Sequence, residues 1–508
     1  MPTTPAPSVP DLRAQFEAIL TSMTSAEAQT MSADTMERRL LSHLLALGRA
    51  LFALFLSTRA AATAGRVHVS PDGVERPYHD ERPRPYVSIF GRLVFARPYF
   101  YRKGVGGAAP VDALLALPAT TCSDLVRETA EEMGVEEAYH KGLGVLRRLL
   151  GLELSTRLLQ EQVAEDAPEV DAFYAQEGPP PPEQEAAILV LQADGKGVPI
   201  VRASTATTGT PPPVRLGKGQ KRGGKKEATL TAVYPIAPTV RTPEDVVESL
   251  FRAPAAGAPA AGEREAREGP RHKQLWATLA GKDAALAAAA ARVAQRDGPH
   301  LAHRVALTGG SQALQERVQR PFPTFTLVLD LIHATEYLWK AAHALLGETN
   351  ARRTAWVKAR TLRLVRSQSA WLVAALRHLA QASGCPRRAR TVLTKVAASL
   401  ERNAPSMDDA AYLARGWPIA TGVIEGACRH LVKDRCEISG MRWTIAGAEA
   451  LLHRRCVHEN GDGDAYHAFR RRQRHHRLYT VPYPDDAATP LDLHALEPCV
   501  GAPPALAA

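Results

Sequence analysis

The sequence predicts a multi-domain α+β protein, and three observations support that prediction. The chain has 508 residues, which at roughly 100–200 residues per domain corresponds to about three domains. Short segments rich in aromatic and β-branched residues, bounded by Gly and Pro, are typical of strands, and they alternate with long helical stretches. A Pro-rich linker at residues 178–186 separates an N-terminal part from a region of different character.

The composition is that of an ordinary soluble protein with an excess of positive charge. Hydrophobic residues make up 45% and charged residues 23% of the chain, which excludes global disorder, a collagen-like structure and a polytopic membrane protein. Six scattered cysteines are too few for a disulfide framework, and the first residues do not resemble a secretory signal. The apolar stretch from Leu40 to Leu56 carries His43 and Arg49, and we expect a buried helix rather than a membrane span. We therefore predict a cytoplasmic protein, and the net charge of +10 favours a polyanionic partner.

The N-terminal part is expected to contain three regions. Residues 1–64 form a helical segment after a Pro-rich start. Residues 65–118 form a small β-rich module with Gly91 near a hairpin turn, and because this module has no cysteine we expect no metal in it. Residues 119–177 form a helical region.

The helical region at 119–177 is interpreted as three helices. Ser123 caps the first helix, Gly134 breaks the chain before the second, and Ser155 caps the third. Two short helices followed by a third fit a helix-turn-helix, in which the third helix would present Arg157 to a DNA groove. A plain helical bundle is the alternative.

After the linker, the order of elements predicts an RNase H-like α/β catalytic domain over residues 187–460. Strand-like runs occur at 187–193, 197–202, 228–234, 304–308 and 324–330, with a turn between the first two. A helix is expected at about 282–296, a helical insertion at about 333–414, and a last long helix from Gly422. Residues 461–508 are expected to be a basic and then Pro-rich disordered tail.

Three acidic residues occupy positions that suit metal-dependent chemistry on phosphates. Asp194 ends the first strand, Asp330 ends a later strand, and Glu425 lies in the first turn of the last helix. Phosphoryl transfer on DNA commonly uses two divalent ions held by a few carboxylates, and Mg²⁺ suits such sites because it accepts oxygen ligands. The three acids are therefore candidate catalytic residues and metal ligands.

Each acid also has an ordinary structural explanation. Asp194 with Gly195 could form a hairpin turn without any metal. Asp330 could be the polar end of a buried strand. Glu425 could be a helix N-terminal acid favoured by the helix dipole, with Arg429 as its i+4 partner.

Several motifs contain or follow the three acids: QADGKGV around Asp194, LDLIHATEYLWKAAHALLG around Asp330, GVIEGACRHLVKDR around Glu425, and SGMRW. These motifs resemble the DDE transposases of bacterial insertion sequences in the ISKra group, relatives of the Mutator-like superfamily. The resemblance extends from the VSIFGRLVFARPYF module to about residue 458. It implies an RNase H-like core, two-metal DNA strand cleavage and transfer with Mg²⁺ (or Mn²⁺ as a substitute), and recognition of the element's terminal repeats.

The chain departs from the family pattern at one position. In such proteins the strand before the Asp330 segment typically ends in an Asp-Gly pair, and here it ends in Thr308-Gly309-Gly310, so that Gly309 replaces the expected catalytic Asp. If that Asp is the family's second metal ligand, the chain retains Asp194 and Glu425 but lacks the middle carboxylate. If Asp330 is the second ligand, the site is complete.

Basic residues near these motifs are candidate DNA contacts. The loop RLGKGQKRGGKK lies between core strands, and two further cations follow Glu425 on the last helix. A solvated loop is the alternative, and the helix cations could merely screen Glu425. The candidates are Lys218, Lys221, Arg222, Lys225, Lys226, Arg429 and Lys433.

The sequence therefore predicts a DNA transposase that binds terminal repeats and target double-stranded DNA as a homo-oligomer in the bacterial cytoplasm, associated with the nucleoid and not with a membrane. The alternative is a catalytically degenerate, transposase-derived DNA-binding protein, which Gly309 favours. A third hypothesis is a related RNase H-like nuclease or resolvase that cuts without joining.

Overall fold

The computed structural model describes residues 7–201, 224–252, 268–479 and 481–484. The chain is a mixed α+β protein with two separate sheets. It divides into two compact units. Of the described residues, the first unit contains those within 7–129, 146–152 and 467–484, and the second contains those within 130–145 and 153–466.

The first unit is built on an antiparallel sheet and two N-terminal helices. Its elements are α1 (Val9–Thr24), α2 (Ala33–Ala61), β1 (Val67–Val69), β2 (Glu75–Ser88), β3 (Gly91–Arg102), β4 (Gly106–Ala108) and α3 (Pro110–Leu114). The strands are in the order β1-β2-β3-β4, and the long β2–β3 hairpin closes where Ser88 faces Gly91. Gly91 has φ of +120°, which explains why glycine stands at this turn. This is the hairpin module that the sequence predicts at 65–118.

The expectation that the apolar stretch from Leu40 to Leu56 is a buried helix is wrong for most of its length. The stretch lies in α2, in which Leu56 and Ala60 are the buried residues, and these two pack in a core with Tyr86 and Phe95 of the sheet. Earlier turns leave several large apolar side chains about half exposed. Among the described helices, α2 is long and apolar enough to cross a membrane by length and composition, a property that core helices of soluble proteins and signal sequences share.

Four helices follow: α4 (Asp124–Glu136), α5 (Tyr139–Leu150), α6 (Thr156–Asp166) and α7 (Val170–Gln176). The predicted caps are confirmed, because Ser123 Oγ accepts from Val126 N at 3.2 Å and Ser155 Oγ accepts from Leu158 N at 3.1 Å. Gly134 does not break the chain as predicted, since α4 continues through it. A Cβ at Gly134 would lie 2.7 Å from Leu159 Cδ2, so glycine allows α4 and α6 to pack closely there.

The second unit contains a five-stranded mixed sheet in the order β7-β6-β5-β8-β9. Its strands and flanking helices are β5 (Ile188–Pro199), β6 (Lys225–Ile236), α8 (Pro243–Leu250), β7 (Gln274–Thr278), α9 (Lys282–Arg296), β8 (His303–Thr308), α10 (Gln312–Gln319) and β9 (Thr326–Leu329). Strand β6 is antiparallel to β5 and β7, whereas β8 and β9 run parallel to β5. The helix predicted at 282–296 is α9.

Two of the predicted strands are one strand. The sequence predicts a turn at Asp194–Gly195, but β5 continues through both residues because β6 pairs with it along its whole length, from Ile188 to Pro199. The sequence also does not reveal β7. Three strands precede α9, as the sequence predicts. They are β5, β6 and β7, whereas the sequence divides β5 into two strands and does not predict β7.

A helical block follows the sheet, as predicted for about 333–414. It consists of α11 (Leu331–Leu346), α12 (Arg352–Val365), α13 (Ser369–Gln381), α14 (Arg387–Asn403) and α15 (Asp409–Ala414). Leucine, valine and alanine side chains of α11 to α14 form a single apolar cluster.

The last helix is not continuous as predicted. The segment after residue 421 consists of α16 (Gly422–Ala427), a π-helical turn (Cys428–Lys433), α17 (Asp434–Cys436) and α18 (Ile445–Asn460). The predicted disordered tail is also wrong in part, because residues 463–478 form α19 (Gly463–Leu478). In the first unit, Arg474 of α19 pairs with Asp124 and Arg471 pairs with Glu128, so these basic residues stabilise the fold.

Candidate active site

Asp194 lies where the central strand β5 extends beyond its parallel neighbour. Pairing between β5 and β8 ends at Ala193 opposite Thr308, whereas β6 continues to pair with β5 past Asp194. One side of Asp194 is therefore free of a neighbouring strand. The thiol of Cys428 donates to Asp194 Oδ2 at 3.5 Å. Burial and the neighbouring Asp194 carboxylate both raise the pKa of Cys428, so this cysteine is a neutral neighbour of the acid.

Gln192 connects β5 to the helix that carries Glu425. Its side chain is fully buried, and its Oε1 accepts from Ile424 N at 2.9 Å in the first turn of α16. Its Nε2 donates to Tyr234 Oη at 2.8 Å. Because Gln192 and Asp194 are two residues apart on β5, they lie on the same face of the sheet. The Gln192 amide therefore brings the start of α16 to the face on which Asp194 lies.

Asp330 follows β9 and caps the N-terminus of α11. Its carboxylate is fully buried and accepts four hydrogen bonds. Oδ1 accepts from Ile332 N at 3.3 Å and from Thr421 N at 2.9 Å, and Oδ2 accepts from His333 N at 3.1 Å and from His333 Nδ1 at 2.6 Å. Burial alone raises the pKa of Asp330, but the hydrogen bonds from His333 and Thr421 outweigh it and hold that pKa below its usual value.

His333 is a cation of the site. The hydrogen bond to Asp330, followed by the charges of Asp330, Asp194 and Glu336, raises the pKa of His333 to about 9 against an opposing effect of burial. The imidazole is therefore protonated at neutral pH. Its side chain is 28% exposed, so that one part faces the cluster and another faces solvent.

Glu425 lies in the first turn of α16 and is exposed. Partial burial is the main reason that the pKa of Glu425 is raised, followed by repulsion from Asp194 and a smaller effect of Asp330. The charges of His333 and Lys196 act in the opposite direction. The structure thus brings all three predicted acids within electrostatic range of one another, with two cations among them.

Gly309 is buried at the end of β8 and faces the same cluster. A Cβ built on Gly309 would lie 3.1 Å from His333 Nε2. A side chain at this position would therefore point at the imidazolium that holds Asp330. An Asp at this position would place a carboxylate there.

The carboxylates that remain free determine whether a metal fits. Among the described residues, no group of three or more His, Cys, Asp or Glu side chains is arranged to hold a metal ion. The lone pairs of Asp330 are used by its four hydrogen bonds, since a carboxylate accepts about four. Asp194 and Glu425 are the acids of the cluster whose oxygens remain available. Two carboxylates fit one Mg²⁺ that takes its other ligands from water and phosphate, but they are fewer than a two-ion site uses.

The predicted DNA contacts differ in whether their side chains already form ion pairs within the protein. Arg157 is 86% exposed and pairs with Glu161 at 2.7 Å. Arg429 pairs with Asp434 at 3.2 Å rather than screening Glu425, because it lies in the π-helical turn.

The remaining candidate cations lie on β6, on the π-helical turn or in the basic loop. Lys225 pairs with Glu437 at 2.5 Å. Lys226 and Lys433 are exposed and form no ion pair with a described residue. Lys218, Lys221 and Arg222 lie outside the described residues.

Three residues of the site were not identified from the sequence. They are Gln192, Lys196 and His333. All three lie inside the motifs that carry the acids, so proximity to those motifs was the available signal. A sequence does not show which neighbour of an acid contacts it across the fold.

No family model matches this chain, and no curated protein is significantly similar to it.

Proposed function

We propose that this chain is a DDE-type DNA transposase with an RNase H-like catalytic core. The observation that carries the proposal is the convergence of Asp194, from the central strand, and Glu425, from the first turn of α16, on one face of the sheet. The sequence motifs around both acids resemble the transposases of insertion sequences. The proposed substrate is therefore double-stranded DNA that carries the element's ends, together with target DNA, bound by a homo-oligomer.

The sheet supports the RNase H-like core. Strands β5, β6 and β7 follow one another as antiparallel neighbours, and β8 and β9 are added in parallel on the other side of β5. In an open mixed sheet, ligands bind where the carboxyl ends of parallel strands meet. Asp194 lies directly beyond the last β5–β8 pair, and Gly309 and Asp330 directly follow β8 and β9 at the same edge.

The residues have distinct roles in this proposal. Asp194 and Glu425 would hold Mg²⁺, which when bound activates the attacking hydroxyl and stabilises the leaving oxygen. His333 and Lys196 attract a phosphate to the acids and offset the repulsion between the carboxylates. Asp330 orients His333 through its hydrogen bond and caps the N-terminus of α11.

A catalytically degenerate DNA-binding protein is the second candidate function. One specific observation favours it: the position where the family carries a carboxylate is Gly309, and Asp330 has no lone pair left to replace it. Removal of one of the carboxylates that directly bind a metal weakens both metal binding and catalysis. Such a protein would bind DNA ends without cutting them.

The two functions are separated by restoring the carboxylate. We compare the natural chain with Gly309→Asp and with Gly309→Asn, which has the same size but no charge, on DNA that carries the element's own ends, in Mg²⁺ and in Mn²⁺. Cleavage by Gly309→Asp alone supports the degenerate protein and identifies Gly309 as the lost ligand. Cleavage by the natural chain supports the working transposase, and joined products exclude a nuclease that cuts without joining. Absence of cleavage by all three proteins would contradict a metal site at this cluster.

A further inference from the structure

A cationic groove lies between α11 and α14 in the second unit. It encloses a cavity of about 640 Å³. Tyr337, Lys340 and His343 line it from α11, and Arg388, Lys395 and Ser399 line it from α14. The α11 wall lies within the motif around Asp330, but the proposed catalysis gives this groove no role.

The groove is positively charged, and its charges are largely uncompensated. Lys340, Arg388 and Lys395 line it together with one acid, Glu348, among the described residues. Arg388 and Lys395 are exposed and form no ion pair within the described part of the chain. Lys340 is 3.6 Å from Glu336 in a pair in which both side chains are more than half exposed, and such a pair contributes little. An anionic ligand therefore meets a net positive surface.

The groove begins next to the candidate active site. A Cβ on Gly310 would lie 2.5 Å from Tyr337 Oη, so the tyrosine that lines the groove touches the turn that follows β8. Arg402 of α14 donates to Gly310 O at 3.2 Å at the same place. His333, Tyr337 and Lys340 are spaced at i, i+4 and i+7 and lie along one face of α11. One helix face thus leads from the acid cluster into the groove.

We propose that this groove binds one unpaired DNA strand as it leaves the acid cluster, a proposal that rests on the function proposed above. Arg388 and Lys395 are two helical turns apart on α14, about 10 Å along its axis, and a row of cations suits the repeated charges of a phosphodiester backbone. The walls between the cations are apolar, formed by Ala344, Val392 and Val396. Apolar walls with an aromatic ring suit unstacked bases, whereas a duplex presents mainly phosphates.

The test uses two charge-matched variants of the full-length protein. Arg388→Gln with Lys395→Gln removes two cations that line the groove. Arg387→Gln with Arg390→Gln removes two cations from the same helix, and neither of these residues lines the cavity. Binding of a fluorescein-labelled oligothymidylate and of a duplex of equal length is measured by anisotropy over a series of salt concentrations, and thermal unfolding confirms that both variants fold.

The groove variant is expected to bind the single strand about tenfold more weakly, and the slope of log K against log salt is expected to fall by about 1.4, for two lost phosphate contacts. The control variant should keep most of the affinity and the slope. Equal effects of the two variants, or an effect on duplex binding alone, would contradict the proposed single-strand binding in the groove. In either case, binding of DNA by the natural chain would still support the proposed function. Failure of the natural chain to bind either DNA would overturn both proposals.

Discussion

Among individual residues, Asp409 has an environment that opposes its charge. It lies at the start of α15 with 2% of its surface exposed, and its Oδ1 has no hydrogen-bond partner among the described residues. Burial, followed by the charges of Asp408 and Asp330, raises the pKa of Asp409 to about 8 from 3.8. The carboxyl group is therefore neutral at neutral pH, and its ionisation destabilises the fold.

We predict that Asp409→Asn stabilises the protein at alkaline pH. The folded state binds this proton more tightly than the unfolded state, so the free energy of unfolding falls as pH rises from about 4 towards 8. Asparagine removes that dependence. The Tm of Asp409→Asn should exceed that of the natural chain at pH values above 8 and approach it, or fall below it, near pH 4. Asp283→Asn, which changes an aspartate that is 81% exposed, is the control and should show no such trend. A constant difference in Tm across the pH range would contradict the prediction.

The sequence identifies the acids of the site, but it does not show which hydrogen bonds their carboxylates accept. Asp194 and Glu425 were found because their motifs are distinctive, and the structure brings them together. The sequence could not show that Asp330 has no free lone pair, because the hydrogen bond from Thr421 N comes from a residue 91 positions away. The sequence also could not show that Gly309 lies beside His333, because their proximity depends on how β8 and α11 pack.

At the scale of elements, Asp330 holds two segments together. It caps α11 through Ile332 N and His333 N, and it binds Thr421 N in the segment that precedes α16. The backbone adds a further link, since Leu331 N donates to Ile419 O at 2.9 Å. The position of Glu425 relative to Asp194 therefore depends on Asp330 even if Asp330 binds no metal.

We predict that Asp330→Ala destabilises the protein by about 2–4 kcal/mol, because it removes an N-cap and leaves the buried Thr421 N–H without an acceptor. Urea unfolding measures this loss. Asp330→Asn keeps one carbonyl acceptor and should recover part of it. If Asp330→Asn abolished metal-dependent cleavage with unchanged stability, Asp330 would be a metal ligand rather than a structural residue.

The elements that the sequence does not predict have identifiable physical causes. The Asp194–Gly195 pair is a hairpin signal, but pairing with β6 across the sheet overrides it. Strand β7 has five residues, which is too short for a clear periodic pattern. The π-helical turn at Cys428–Lys433 shifts the periodicity after Glu425, and no residue type marks such a turn in a sequence. Helix α9 is predicted well because it is rich in alanine, the strongest helix former, whereas α11 is predicted only as part of the helical insertion.

At the scale of the whole molecule, the proposed DNA binding and the proposed metal-dependent cleavage depend on different charges. The chain has 63 basic and 53 acidic residues, so that its net charge favours DNA. The acid cluster opposes that attraction locally, because Asp194 and Glu425 are carboxylates without a direct ionic partner among the described residues. Phosphates therefore approach the cluster against repulsion unless a cation offsets it.

We predict that Asp194→Asn combined with Glu425→Gln abolishes cleavage, including that of the Gly309→Asp chain, and does not reduce DNA binding. Both substitutions keep the size of the side chains, so the hydrogen bond from Ile424 N to Gln192 and the start of α16 are preserved. Without divalent ions, loss of two like charges should tighten binding of a terminal-repeat duplex about threefold. The slope of log K against log salt should stay the same, because no phosphate contact is lost. Glu316→Gln, at an exposed acid on α10, is the control and should leave both cleavage and binding unchanged. Cleavage by the double variant would show that the two carboxylates do not hold the catalytic metal. Loss of its DNA binding would show that they contribute to binding and not only to cleavage.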